Sequence, residues 1–246
     1  MYNLVIIMPT YNEKANLEKL LPQIKKQFTI TKISGGVLII DDNSPDGTSA
    51  YVNKIILDMS DSNFFIKLRK RPGKLGLGTA YIQGYKQVFK EMPSRYILGM
   101  DADFSHDPKY IPEIYQALKD NDVVIGSRYV PGGGTLNWGI VRRIISRLGG
   151  LYSKILLWWP VNDPTTAFTG FRSDALKQLD LERVQAENYG FNIELKYQAY
   201  MKKLRIKEVP IIFADRVAGK SKFSIKIFFE GIFNTLTLRI KYRNFK

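Results

Sequence analysis

The sequence predicts an α/β fold, a mostly parallel central sheet flanked by helices on both faces, and three observations carry that expectation. Short apolar runs of strand length alternate with segments of helical period from the first residues onward. Polar turn residues follow the C-terminal end of each run, the edge where open α/β sheets bind their ligands. The chain has 246 residues and 45% hydrophobic content, enough to bury one sizeable core.

Leu4 to Met8 is the first apolar run, and Pro9-Thr10-Tyr11-Asn12-Glu13 turns it into a helix carrying Leu17, Leu20, Leu21 and Ile24. Val37 to Ile40 repeats the pattern. Asp41-Asp42-Asn43-Ser44-Pro45-Asp46-Gly47-Thr48 then supplies turn chemistry ahead of a helix over Ala50 to Leu57. Asp42 stands where a dinucleotide-type fold places an acid that accepts hydrogen bonds from a nucleoside, although the same residues make a good turn and N-cap. Phe64 to Leu68 is a third strand. Gly73-Lys74-Leu75-Gly76-Leu77-Gly78 opens the next helix, through Ala80, Tyr81, Tyr85 and Val88; its glycines match neither the dinucleotide fingerprint nor the Walker motif. Lys74 beside them could meet a phosphate or stand in solvent.

Tyr96 to Leu98 feeds Gly99-Met100-Asp101-Ala102-Asp103-Phe104-Ser105-His106-Asp107. In an extended segment residues two apart share a side, so Asp101 and Asp103 would aim at one point and suit a hard cation, Mg²⁺ or Mn²⁺. A solvated turn is the plain alternative, with Asp107-Pro108 starting the following helix. Val123 to Ile125 is a fifth strand, ending in Gly126-Ser127-Arg128. Four polar loops at one sheet edge favour a site over unrelated turns.

From Val123 to Asn162 there is no acidic residue. Between Trp138 and Trp159 the apolar residues keep helical spacing, with Gly149-Gly150 as an expected soft spot, and Arg142 and Ser146 lie four apart as convergent donors for an anion. This basic amphipathic segment suits either a membrane interface or a core helix with a solvated face. Gly132-Gly133-Gly134 is the expected division between the two halves. Asp163 to Arg172 reads as a polar, aromatic loop, Tyr189-Gly190-Phe191 leads into a helix through Tyr197, and Ile206 to Phe213 reads as the last strand. Beyond Arg216 an apolar face of Phe223, Ile225, Phe228, Phe229, Ile232, Phe233 and Leu236 follows, with basic residues around it; this amphipathic helix suits the headgroup region of an anionic membrane. The organisation expected is a catalytic unit over residues 1–214 and a basic loop with an interfacial helix over residues 215–246.

The net charge of +14, from 37 basic and 23 acidic residues, implies an anionic partner. A nucleic-acid binder is disfavoured, because the basic residues accompany broad aliphatic faces and no recognition helix or aromatic platform. With no cysteine, disulfides and thiolate metal sites are excluded. No secretory signal opens the chain and no apolar run reaches the roughly 18 to 20 residues of a membrane span, so the expected location is cytoplasmic, peripheral on the cytosolic face of a membrane.

Taken together, Pro9-Thr10-Tyr11-Asn12-Glu13, Asp41-Asp42-x-Ser44-Pro45-Asp46-Gly47-Thr48, Lys74-x-Gly76-Leu77-Gly78-x-Ala80-Tyr81, Asp101-Ala102-Asp103-x-Ser105-His106, Gly126-Ser127-Arg128-Tyr129, Trp138-x-x-x-Arg142-x-x-x-Ser146, Asp163-Pro164-Thr165 and Arg216-x-x-Gly219-x-Ser221-Lys222 resemble the polyprenol-phosphate (dolichyl-phosphate) mannosyltransferases. These are inverting family-2 glycosyltransferases of the GT-A type, a Rossmann-like fold. Thr166-Ala167 departs from the family's usual Ser-Gly. The resemblance implies transfer of mannose from GDP-mannose to a polyprenyl or dolichyl phosphate. It implies that Pro9, Tyr11, Glu13, Ile40 and Asp42 hold the guanosine. Asp101, Ala102 and Asp103 would meet the diphosphate through Mg²⁺ or Mn²⁺, with Ser105 where some relatives offer a metal ligand. Arg216 and Lys222 would close over the donor, and Arg128, Arg142 and Ser146 would bind the acceptor phosphate. A UDP-sugar with undecaprenyl phosphate is the alternative pair, and a membrane partner subunit is left open. His106, the only histidine, is expected to brace its loop or cap a helix.

Overall fold

The computed structural model describes residues 1–184, 190–215 and 235–243. Arg216, Lys222 and the apolar face from Phe223 to Phe233 lie outside the described residues. In chain order the elements are β1 (Tyr2–Thr10), α1 (Lys14–Thr31), β2 (Gly35–Asp41), α2 (Thr48–Met59), β3 (Phe64–Lys70), α3 (Leu77–Glu91), β4 (Ser94–Gly99), α4 (Ile111–Ala117), β5 (Val123–Ser127), β6 (Gly134–Leu136), α5 (Ile140–Leu157), β7 (Thr169–Arg172), α6 (Ser173–Leu176), α7 (Gly190–Met201), β8 (Ile206–Pro210) and β9 (Ile212–Ala214). The main sheet runs β3-β2-β1-β4-β7-β5-β8, and β6 and β9 pair in a second, two-stranded sheet.

Strands buried on both faces explain why the runs are continuously apolar. In β1, Val5 and Ile7 pack on one side with α3 and α7, while Leu4, Ile6 and Met8 pack on the other with α1 and α4. The same alternation divides Leu38 and Ile40 from Val37 and Ile39 in β2. Because β1, β2, β3 and β4 are mutually parallel, their C-terminal ends open onto one edge.

Several expectations need correction. Thr169–Arg172, read as loop, is a strand inserted antiparallel between β4 and β5. Four residues are too few to show a period, and Gly170 is there for close approach: a Cβ would lie 2.8 Å from Leu118 Cδ1. The last strand is two. Ile211 breaks it, donating its N–H to Ser127 O (3.0 Å) and accepting from Gly134 N–H (2.9 Å), so β8 joins the main sheet and β9 the small one. Gly134 thereby begins β6, where a flexible division was expected. Gly149-Gly150 does not interrupt α5; a Cβ on Gly150 would lie 3.0 Å from Asn162 O, so that glycine admits a neighbouring chain. Residues 235–241 are helical, and Tyr242 is fully buried with its hydroxyl donating to Glu194 of α7 at 2.7 Å.

The parallel core leaves no room at Gly36, where a Cβ would lie 2.0 Å from the backbone oxygen of Phe65. Gly36→Ala is expected to lower the unfolding free energy by about 3 kcal/mol in urea titration, whereas Gly134→Ala, with its nearest neighbour at 3.4 Å, should cost under about 1 kcal/mol.

Candidate active site

The loops after β1 and β2 are stitched together by short polar side chains. Asp41 is fully buried and accepts hydrogen bonds from Thr10 Oγ1 (3.0 Å), Ser44 N–H (3.1 Å) and Ser49 Oγ (2.6 Å). Asn12 N–H donates to Ser44 Oγ at 2.9 Å and Glu13 N–H to Thr48 Oγ1 at 3.1 Å. Asp46 takes Lys14 N–H (3.1 Å) and the N–H of Thr48, the first residue of α2 (2.9 Å). Burial alone would raise the Asp46 pKa, but these bonds from Thr48 and Lys14 outweigh it and hold the carboxyl below its ordinary range.

Asp42 is held by a residue the sequence reading missed. Arg71 meets both its oxygens, at 2.5 and 2.9 Å, and also donates to Thr79 Oγ1 (2.8 Å) and Gly76 O (3.2 Å). The pair ties the β2 loop to the glycine segment before α3. Its signal was faint, because it is the last residue of a basic run, Arg69-Lys70-Arg71, ahead of Pro72-Gly73. Lys74 is exposed and lies 4.6 Å from the centre of the Tyr11 ring, closing the same side of the edge. Glu13 accepts from Asn16, Pro9 is half-buried, and Ile40 and Ala102 turn their side chains into the core.

At the end of β4 the extended geometry expected for Asp101 and Asp103 stops. Residues 102–106 bend, and Phe104 has φ 62°, the left-handed region that a bulky side chain rarely enters. His106 braces this bend. Its Nδ1 accepts the Asp101 N–H at 2.9 Å, and its ring stacks on Phe168 with centroids 4.8 Å apart. Burial pushes the His106 pKa down, opposed by the charges of Asp101 and Asp103, so the imidazole stays a neutral acceptor. Asp101 receives the Tyr81 hydroxyl at 3.2 Å, and Asp103 accepts Ser105 N–H at 3.1 Å. Ser105 Oγ is buried without a hydrogen-bond partner. Two carboxylates and this hydroxyl make a hard-oxygen set that fits Mg²⁺ or Mn²⁺, which complete their shell with water and phosphate. Among the described residues no group of three or more His, Cys, Asp or Glu gathers to hold an ion by protein ligands alone.

Arg128 emerges from β5 and turns inward. Its backbone N–H, Nε and Nη2 reach Asp163 at 2.8, 2.7 and 2.6 Å, and Nη2 also meets Thr165 Oγ1 at 2.8 Å. Asp163 is fully buried. Burial would raise its pKa, but the Arg128 charge and hydrogen bonds prevail and hold it low, so this stabilisation exists above the ordinary carboxylate range near 4 and fades as pH falls below it. Lys196 of α7, also missed, donates to Pro164 O (2.9 Å) and Thr166 O (2.6 Å) beneath the same loop. Desolvation pulls its pKa down to about 7.

Phe213 joins the two sides of the site. Its ring lies 5.4 Å from His106, 5.1 Å from the Arg128 guanidinium and 5.5 Å from Trp138. Trp138 in turn carries Arg142 at 3.9 Å, and Arg142 donates to Asp215 at 2.7 Å. Ser146 Oγ accepts the Tyr129 hydroxyl at 2.6 Å. The structure therefore brings Asp101, Asp103, Arg128 and Arg142 to one edge, with Arg128 facing the protein and Arg142 on the surface; Arg216 and Lys222 lie outside the described residues.

A family model described as Glycosyl transferase family 2 matches residues 5–180. An undecaprenyl-phosphate mannosyltransferase from Micrococcus luteus is 36% identical over 93% of this chain and 90% of its own. A polyprenol monophosphomannose synthase from Mycolicibacterium smegmatis is 34% identical over 97% and 88%. Among solved structures, glucosyl-3-phosphoglycerate synthase from Mycobacterium tuberculosis, crystallised with Mn²⁺, UDP and glucosyl-3-phosphoglycerate, superposes with a TM-score of 0.64 at 16% identity, over 97% of this chain and 80% of that one. That likeness shows the fold. Among the described residues no helix is long and apolar enough to cross a membrane.

The Arg128–Asp163 pair gives a direct test of the packing. Asp163→Asn and Arg128→Met should each cost about 3 to 5 kcal/mol by leaving one buried charge alone, and the double variant should cost clearly less than the two together. Additive losses in urea unfolding would show that the two side chains act independently.

Proposed function

The chain belongs to glycosyl transferase family 2, and from that premise we propose that it transfers mannose from GDP-mannose to a polyprenyl phosphate, with inversion at the anomeric carbon. The observation that carries the reading is the continuous run from Asp101 through His106, Phe213, Arg128 and Trp138 to Arg142, which joins the carboxylate edge to a guanidinium. The names of the two bacterial relatives, a mannosyltransferase and a monophosphomannose synthase, support the sugar and the acceptor class.

Asp101 and Asp103, with the Ser105 hydroxyl beside them, would hold Mg²⁺ or Mn²⁺. When bound, such an ion offsets the negative charge that develops on the departing diphosphate. Pro9, Tyr11, Glu13, Asp42 and the backbone of Ile40 would line the nucleoside side, and Arg71 fixes the plane of the Asp42 carboxylate there. Lys74, resting on Tyr11, would add positive charge toward the phosphates.

On the acceptor side the two arginines differ. Arg128 is 6% exposed and its partner Asp163 is fully buried, so Arg128 shapes the loop. The Arg142–Asp215 pair is about one-third exposed on both sides and is worth at most about 1 kcal/mol, so an incoming phosphate can replace the carboxylate. Arg142, with Ser146 one turn along, is the group that would receive the acceptor phosphate. That phosphate has a second pKa of about 6 and is largely ionised at neutral pH, so its oxygen attacks without a dedicated base. His106 fits this economy of roles: its Nδ1 is occupied by a backbone N–H, which leaves it a brace.

The reaction is tested by radiolabelled transfer into an extractable lipid, with polyprenyl phosphate, Mn²⁺ and either GDP-mannose or UDP-glucose. Label from GDP-mannose that falls at least about 100-fold in Asp103→Ala, and about 10-fold in Arg142→Gln with KM for the lipid raised, is the expected result. Label from UDP-glucose alone would replace the donor, and transfer indifferent to Asp103→Ala would remove the metal–diphosphate site.

A further inference from the structure

Residues 190–199 of α7 are all buried, so each polar side chain of that helix must find its partner inside the protein. Glu194 and Gln198 meet theirs in the Tyr242 hydroxyl, at 2.7 and 3.0 Å. Asn192 and Lys196, one turn apart on the opposite face, turn to the loop after Asp163. Lys196 is 1% exposed, and its Nζ donates to Pro164 O (2.9 Å) and Thr166 O (2.6 Å), while Asn192 Nδ2 reaches Thr165 O at 3.4 Å. Three consecutive carbonyls are thus held from beneath. Thr165, between the two lysine contacts, is the residue whose Oγ1 accepts from Arg128 at 2.8 Å.

Among the described residues, three charged groups face the Lys196 amine: Asp163 of the loop, Arg128 just after β5 and Glu208 of β8. Burial disfavours the protonated form most strongly and Arg128 adds to that, while the two carboxylates favour it; the balance falls at about 7. With its proton, Lys196 makes the four-residue cluster neutral, and without it the cluster carries a net negative charge. An uncharged amine still has two N–H groups, enough for both carbonyls, so losing the proton changes the charge and leaves the loop in place. The cluster stands close behind the surface cation of α5, because Trp138 lies 5.5 Å from the Arg128 guanidinium and 3.9 Å from that of Arg142.

We propose that Lys196 is a positioning residue for the acceptor phosphate: it holds the loop that orients Arg128, and its proton sets the charge that a phosphate at Arg142 and Ser146 faces. The inference rests on the transferase reading, which puts the acceptor phosphate at those two residues. A phosphate dianion binds best to the protonated cluster. Affinity is therefore full below about pH 7 and falls above it, where binding must draw a proton onto Lys196. Ionisation of the phosphate acts in the opposite direction, but with a second pKa of about 6 it is largely complete before that fall begins.

The test follows farnesyl phosphate, a short prenyl phosphate, between pH 6 and 8.5 with Mg²⁺ present, by tryptophan fluorescence for binding and by sugar transfer from GDP-mannose for turnover. Wild-type affinity should fall about fivefold from pH 7 to 8.5, with KM for the prenyl phosphate rising in step and KM for GDP-mannose unchanged. Lys196→Met, similar in length and uncharged, should bind about fivefold more weakly at pH 6.5 and show no further fall. Lys196→Arg, charged throughout this range, should keep the affinity and lose the fall. A flat wild-type profile overturns the inference, as does a wild-type profile in Lys196→Met that keeps its melting temperature. A loss in Lys196→Met that is equal at every pH and spread over kcat and both KM values would make the residue a packing element only, which also overturns it. Where Lys196→Met does not fold, Lys196→Arg decides: a fall that persists in it comes from another group and overturns the inference. Transfer with a flat profile removes this inference alone. Binding with the expected pH dependence, in protein that transfers no sugar, sustains the role of Lys196 and removes only the transferase reading.

Discussion

The ion pair between Arg128 and Asp163 is the contact on which the half of the molecule beyond β5 depends. Two charges removed from water are repaid by close geometry and hydrogen bonds, and here three N–H groups of Arg128 converge on one carboxylate and a fourth contact goes to Thr165. From that pair the surroundings follow. Glu208 of β8 holds the backbone N–H of Asp163, Lys196 of α7 holds the carbonyls of Pro164 and Thr166, and the same loop delivers Phe168 onto His106. The bend that carries Asp101 and Asp103 therefore leans on a chain of contacts that begins at Arg128.

This arrangement separates two kinds of arginine. Arg71 and Arg128 are buried against Asp42 and Asp163 and act as struts between loops. Arg142 is paired at the surface, where water screens the bond and partners can exchange. In the proposed transferase the struts would fix the loops around the carboxylate edge, and the surface cation would exchange its partner for an incoming phosphate.

Much of this was legible in the chain. Strands of a doubly covered parallel sheet must be apolar without interruption, so Leu4 to Met8 and Val37 to Ile40 announced themselves, and the turn residues after them located the edge. His106 was legible as a brace because the chemistry expected of the site asked for no dedicated base, and the structure gives its Nδ1 to the Asp101 N–H. Other parts were hidden for definable reasons. β7 is four residues long and owes its place to β4 and β5, not to any period of its own. Arg71 and Lys196 looked like ordinary surface cations, since burial of a long basic side chain is decided by partners far away in sequence. The inward turn of Arg128 was hidden for the same reason, because only the fold brings Asp163 to it.

The central claim is that the edge centred on Asp101 and Asp103 binds a nucleoside diphosphate through a divalent cation. Calorimetric titration of GDP with and without Mn²⁺, into wild type and Asp103→Ala, tests it most directly. The account predicts binding that requires Mn²⁺ and is lost in Asp103→Ala while the variant keeps its melting temperature. Equal affinity for GDP with and without the ion, unchanged in Asp103→Ala, would contradict it.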